Sequence, residues 1–181
     1  MKILIGSNTY GRYHRQGIAV DSWKYLAEQY DFVDVVNVQF NDNTTMLEQA
    51  HKVRVHDLDT IYALNRSSLD VTGCTKKLPY VNDILKCLSS LDCDYFIYVN
   101  SDIILNKNLI KYITRYKPEA FACSRMDIDN VDNFQDIIDR NIRPHRTEIA
   151  GFDVFVFKND WFKKNVSLFR DYFMAQPLWD Q

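Results

Sequence analysis

Residues 94–99, Asp-Tyr-Phe-Ile-Tyr-Val, are apolar throughout after the first position and run straight into Asn100-Ser101-Asp102. A run this short, without polar alternation, reads as a strand buried on both faces, which requires a sheet covered by helices on each side. The flanking sequence supplies those helices. Before the run, Val81, Ile84, Leu85, Leu88 and Leu91 repeat with helical period behind Pro79, a residue suited to the first turn of a helix. After it, Asn106 is placed to cap a helix whose apolar face is Leu109, Ile110, Ile113 and Tyr116.

The same alternation extends along the chain and predicts an α/β fold with a mainly parallel sheet. Residues 2–6 read as the first strand. A helix over 17–30 carries Ala19, Trp23, Leu26, Ala27 and Tyr30 on one face, and residues 32–38 read as the second strand. Between 41 and 73 the pattern is weaker, with a helix expected over 45–51 and a strand over 60–64. Strands are expected again over 119–124 and 153–157. A short helix is marked by Phe134, Ile137 and Ile138, and Asn159 is placed to cap a last one. At 181 residues, with no repeat, low-complexity tract or linker, one domain with a self-sufficient core is expected. The chain ends just after Trp179 and Asp180, which leaves a further C-terminal segment open.

Composition removes several classes of function. A net charge of −2 lacks the basic surplus that phosphate neutralisation demands, so nucleic acid is not expected as a partner. Five glycines leave little material for a Gly-rich phosphate loop. Cys74, Cys87, Cys93 and Cys123 contain no C-x-x-C pair, and no H-E-x-x-H is present; the cysteines are expected to be reduced or packing residues. The apolar run at the N-terminus is too short for a signal peptide, and no stretch of about 18 apolar residues exists to span a bilayer. A soluble, cytoplasmic protein without a transmembrane segment is the expectation.

Five stretches can carry chemistry. In extended backbone, side chains at i and i+2 share a face, so Asn100 and Asp102 would present a carbonyl oxygen and a carboxylate together where the strand ends. Mg²⁺ and Mn²⁺ favour such oxygen ligands, completed by substrate phosphates. The same residues also suit a plain strand-ending turn, with Asp102 or Asn106 as a helix cap. Residues 7–12, including Ser7, Asn8, Thr9 and Arg12, form a polar connection able to hold a nucleoside, with Arg12 on a phosphate. They match neither G-x-G-x-x-G nor G-x-x-x-x-G-K-[ST]. Lys76 and Lys77 precede a helix N-terminus, where the dipole already favours anions. Glu148 and Asp153 are candidate general bases near a strand start, flanking Gly151. Trp179 and Asp180 offer an aromatic platform and a carboxylate.

The Lys-Leu-Pro-Tyr-Val-Asn-Asp-Ile-Leu helix, the Asp-Tyr-Phe-Ile-Tyr-Val-Asn-Ser-Asp-Ile strand and turn, and the later Ala-Gly-Phe-Asp-Val-Phe-Val-Phe segment together resemble the GT-A glycosyltransferases, nucleotide-diphospho-sugar transferases. The likeness is concentrated between residues 76 and 160. It implies a three-layer α/β/α sandwich with a nucleotide-sugar half over about 1–105 and an acceptor half over about 106–181. Asn100-Ser101-Asp102 resembles a variant DxD motif, which implies Mn²⁺ or Mg²⁺ on Asp102 and, secondarily, Asn100. The resemblance further implies nucleoside contacts from residues 7–12 and phosphate contacts from Lys76 or Lys77. Asp153 would bind the acceptor or act as base. The donor would be a UDP- or GDP-linked sugar and the acceptor a glycan or glycoprotein. Asn100 stands where the first Asp of the motif is usual. Two other readings stay open: a sugar-1-phosphate nucleotidyltransferase, although residues 7–12 lack its Gly- and Arg-rich signature, and a non-catalytic nucleotide-sugar-binding module.

Overall fold

A computed structural model describes residues 1–9, 14–40, 53–58, 80–128, 132–140, 146–147 and 152–170. Within them the chain runs β1 (Ile3–Ser7), α1 (His14–Gln29), β2 (Val33–Phe40), β3 (Val53–Leu58), α2 (Val81–Ser90), β4 (Tyr95–Val99), α3 (Lys107–Tyr116), β5 (Ala120–Cys123), β6 (Met126–Asp127), α4 (Phe134–Arg140), β7 (Arg146–Thr147), β8 (Val154–Lys158) and α5 (Asn159–Asn165), followed by a 3₁₀ turn at Val166–Leu168. Six strands form one sheet in the order β3-β2-β1-β4-β8-β5, and β6 pairs with β7 apart from it.

The pairings β3–β2, β2–β1 and β1–β4 are parallel, while β8 runs antiparallel to both β4 and β5. The expected mainly parallel sheet is therefore present, with one strand reversed. Every residue of β1 and of β4 is buried, as the apolar run of β4 and the Ile-Leu-Ile of β1 require; Ser7 closes β1 as a buried polar residue. Two cores lie on opposite faces. One joins Trp23 and Leu26 of α1 and Ile110 and Ile113 of α3 to Ile5, Ile97 and Val156. The other joins Ile84 and Leu88 of α2 and Phe162 of α5 to Leu4, Phe96 and Phe157. Helices thus cover both sides, giving the three-layer α/β/α arrangement.

Three local expectations are corrected. Residues 53–58 form β3, which the weak alternation of Val-Arg-Val-His-Asp-Leu does not announce; it is an edge strand, and the elements expected over 45–51 and 60–64 lie outside the described residues. Asn159 does not cap the last helix from outside. It is the first residue of α5, and its buried amide accepts from Ser89 Oγ at 2.6 Å and donates to the Cys93 carbonyl at 3.0 Å, tying α5 to the turn before β4. Tyr116 leaves the apolar face of α3: it is 58% exposed and packs beside Tyr112, ring centroids 4.8 Å apart. Asn106 behaves as expected and accepts from the Asn108 N–H at 2.9 Å.

The described cysteines, Cys87, Cys93 and Cys123, are free thiols, and burial holds Cys93 up to about 11. Among the described residues no helix is long and apolar enough to cross a membrane.

Gly6 shows how closely α2 lies on the sheet. A Cβ at this position would overlap Leu88 Cδ2 and come within 2.8 Å of Leu88 Cδ1, and Leu88 is fully buried. Gly6→Ala is expected to lower stability by about 1–3 kcal/mol, read as a shift in the urea midpoint at unchanged m-value.

Candidate functional site

Because β8 is antiparallel, its start lies beside the ends of its neighbours. Val154 pairs with Val99 of β4 on one side and with Cys123 of β5 on the other. The residues just beyond those pairs, Asp153, Asn100 and Arg125, therefore meet at one end of the sheet. β1 ends beside them, with Gly6 opposite Tyr98 and Ser7 opposite Asn37. This is the carboxyl end of the parallel strands, where loops converge without interrupting the sheet.

Asn100 leads into a tight turn in which the Ile103 N–H donates to the Asn100 carbonyl at 3.2 Å. The relation between Asn100 and Asp102 is thus set by a turn and not by continued strand alternation. Helix α1 holds the segment that follows at alternate residues. Gln16 Nε2 donates to Ser101 Oγ at 3.0 Å, Trp23 Nε1 donates to the Ile103 carbonyl at 2.9 Å, and Ser22 Oγ accepts the Leu105 N–H at 3.1 Å. Gln16 is 7% exposed, and its Oε1 is buried without a hydrogen-bond partner among the described residues.

On the other side of the turn, Asn100 Nδ2 donates to Asp153 Oδ1 at 2.6 Å, and the Asn100 N–H donates to the Asp153 carbonyl at 3.0 Å. Asp153 is buried, and Arg125 Nη1 stands 3.5 Å from its Oδ2. Arg125 Nε also donates to Asp127 Oδ1 at 3.1 Å. The guanidinium is held above its ordinary value first by Asp153, with partial burial opposing, then by Asp127, and lastly by Asp102. Asp127 is nearer, yet the buried carboxylate acts more strongly because water screens it less.

Ser7, Asn8 and Thr9 face inward. Asn8 Nδ2 donates to the Val38 carbonyl at 2.6 Å, while the Thr9 N–H and Oγ1 both donate to Asn37 Oδ1, at 2.9 and 3.0 Å. Ser7 Oγ is buried without a hydrogen-bond partner among the described residues. The amide of Asn8 and the hydroxyl of Thr9 thus lock the exit of β1 to the end of β2. Arg12, Lys76, Lys77, Glu148, Trp179 and Asp180 lie outside the described residues.

Sequence reasoning missed Gln16, Asn37 and Arg125. Gln16 was findable: it lies three residues before Ala19 on the apolar stripe of α1, where a polar residue needs a reason. Asn37 interrupts a run of buried valines in β2 in the same way. Arg125, alone after a strand, carries no such signal.

Asp102 is exposed, and its carboxylate makes no hydrogen bond or ion pair with the described residues, beyond the field it exerts on Arg125. Asn100 gives N–H groups to Asp153, and its side-chain carbonyl oxygen has no partner among the described residues. Two hard oxygen donors fit Mg²⁺ or Mn²⁺ completed by phosphate and water. Among the described residues no group of three or more His, Cys, Asp or Glu gathers to form a self-contained metal cage. A half-open cavity of about 250 Å³ lies elsewhere, on the α2 side of the sheet, with Leu85, Tyr98, Phe157, Phe169 and Arg170 in its wall. Its lining is mainly aromatic and aliphatic, and it brings together no pair of acid and base.

This sheet, its two helical layers and its strand-end site define a GT-A-like glycosyltransferase fold. The S. aureus protein TarS, in complex with UDP-GlcNAc, has this fold with a TM-score of 0.50 and 14% identity, over 91% of this chain and 47% of that one. The galactosyltransferase LgtC, solved with donor and acceptor sugar analogues, matches with a TM-score of 0.43 and 9% identity, over 94% of this chain and 67% of that one. The glycosyltransferase GlyE of Streptococcus pneumoniae matches with a TM-score of 0.41 and 11% identity, over 92% and 38%. The chain spans about half the length of the TarS structure. No protein-family model matches the chain, and no curated protein matches its sequence.

Ser22→Ala tests the grip of α1 on the turn. It strands the buried Leu105 N–H, so a loss of about 1–2 kcal/mol is expected, or roughly 2–8 °C in melting temperature for a chain of this size. Differential scanning calorimetry reads it directly.

Proposed function

We propose that the chain transfers a sugar from a nucleoside-diphosphate sugar to an acceptor hydroxyl; Asp102 and Asn100 would hold Mn²⁺ or Mg²⁺, which would offset charge on the donor diphosphate. One observation carries this reading. The carboxylate of Asp102 and the side-chain carbonyl of Asn100 have no partners among the described residues at the carboxyl end of β4, beside the end of β1. The fold shared with TarS, which was crystallised with UDP-GlcNAc, supports a UDP-linked donor; a GDP-linked one uses the same chemistry.

Breaking the anomeric C–O bond sends negative charge onto the leaving diphosphate. A bound divalent cation supplies neutralisation of that charge as it develops. The chain's own task is to hold its two oxygens still, since a ligand that must reorganise during the reaction stabilises less. Gln16, Ser22 and Trp23 do this from α1 and Asp153 does it from β8. The nucleoside lies over the end of β1. The side chains of Asn8 and Thr9 are already engaged, so contacts there fall to the backbone of residues 7–9 and to Arg12, with Lys76 or Lys77 on the phosphates. The acceptor, a glycan or glycoprotein hydroxyl, approaches from the β5–β8 side. For an inverting transfer its proton goes to a carboxylate, with Glu148, which lies outside the described residues, as the candidate.

Titration calorimetry of UDP with and without Mn²⁺ tests the assignment. The wild-type chain is expected to bind UDP more tightly with the metal present. Asp102→Ala is expected to lose that gain, about 100-fold or roughly 2.7 kcal/mol. Its melting temperature should stay within about 2 °C, because the side chain is exposed and bonds to nothing described. Equal Mn²⁺-dependent affinity in the two proteins removes the metal assignment. Pyrophosphate release from a nucleoside triphosphate and a sugar phosphate reassigns the reaction to nucleotidyl transfer.

A further inference from the structure

Position 100 carries asparagine where the motif it resembles usually has aspartate. The reason lies across the strand end. Asn100 Nδ2 donates to Asp153 Oδ1 at 2.6 Å, and Asp153 is only 4% exposed. An aspartate at position 100 would press two carboxylates together with no donor between them, which like charges resist strongly. Asparagine has the same shape and an N–H to give.

The contact also fixes direction. A carboxamide is planar, so donating through Nδ2 turns Oδ1 away from Asp153, and that oxygen has no partner among the described residues. The backbone is pinned independently: the Asn100 N–H bonds the Asp153 carbonyl at 3.0 Å, and the Asp153 N–H bonds the Cys123 carbonyl at 3.2 Å. Side chains at 100 and 153 can therefore be exchanged with little movement of the main chain. Asp153 Oδ2 faces Arg125 at 3.5 Å, so both carboxylate oxygens are engaged within the protein.

We infer that Asp153 is a positioning residue, with Arg125 as its counter-charge, that aims the Asn100 carbonyl at the cation and diphosphate, and that Asn100 and Asp153 form an exchangeable pair. The inference rests on the proposed function, and it gives Asp153 a task other than taking a proton from the acceptor. The aspartate customary at position 100 has in effect moved to the neighbouring strand.

Four chains decide it: wild type, Asp153→Asn, Asn100→Asp, and the double exchange. Two quantities are measured on each, the melting temperature without ligand and the calorimetric affinity for UDP with and without Mn²⁺. Asn100→Asp is expected to melt about 5 °C or more below wild type, and the exchange to regain most of that loss. Asp153→Asn, close in shape and able to fold, is expected to weaken the Mn²⁺-dependent part of UDP binding about 10- to 100-fold, as loss of a residue that orients a metal ligand does. The exchange, which keeps the net charge of the site, should return that part to the wild-type level or above and match the wild type in metal-free UDP affinity.

An exchange that melts no higher than Asn100→Asp overturns the pairing. Wild-type Mn²⁺-dependent affinity in Asp153→Asn, with turnover lost, overturns the positioning role and makes Asp153 the proton acceptor. Indifference of the wild-type chain to Mn²⁺ overturns the proposed function and the cation half of this inference together. That failure shows in the wild type, and so is told apart from failures confined to the variants.

Discussion

Because β8 runs against its neighbours, the carboxylate of Asp153 arrives, buried, at the point where β4 and β5 end. A buried charge without partners is worth several kcal/mol of instability, so its surroundings must answer it. Asn100 supplies a 2.6 Å hydrogen bond and Arg125 a cation at 3.5 Å. A hydrogen bond to a charged group contributes about 1.5–3 kcal/mol, which offsets part of that cost. The rest of the strand-end site is arranged around this group: it orients Asn100, anchors Arg125, and through its own backbone closes the gap between β4 and β5.

The opposite side of the turn is governed by α1. Gln16, Ser22 and Trp23 each reach the segment leaving β4, at residues 101, 105 and 103. Gln16 Nε2, Ser22 Oγ and Trp23 Nε1, on a helix face that also carries the buried Ala19 and Leu26, find their partners in the departing backbone or in Ser101. A turn held from a helix on one side and a strand on the other has little room to reorganise. That is the condition under which two modest oxygen ligands act as a prepared site.

The sequence made the frame legible because the frame is built from apolar periodicity. Residues 94–99 could be read as a doubly buried strand from their composition, and Leu88 and Ile84 as a helix face from their spacing. Asn106 was readable as a cap because its chemistry is local. What was not legible depends on pairing between distant strands. Nothing in Ala-Gly-Phe-Asp-Val announces that Val154 enters the sheet antiparallel between two strands more than 25 residues earlier in the chain. Without that reversal Asp153 cannot be connected to Asn100, nor Arg125 to either. β3 was missed for a related reason: an edge strand needs only a short alternation, and Val53 and Val55 alone supply it. Asn159 was misread because a polar residue at a helix start suits a cap from outside, whereas this one satisfies Ser89 and Cys93 from within.

The charges at the strand ends bear on why a cation belongs in the proposed reaction. Asp102, Asp127 and Asp153 all act on the single guanidinium of Arg125. Arg125 can neutralise one of them, so the described part of the site keeps a surplus of negative charge. Against those described groups alone a diphosphate would meet negative charge, which a divalent cation would offset. With asparagine at position 100, one carboxylate, Asp102, is left free to hold that cation. The protein oxygens alone then bind it weakly, and the diphosphate must supply the remaining ligands. On the proposed reading, the cation would therefore be held only together with the diphosphate.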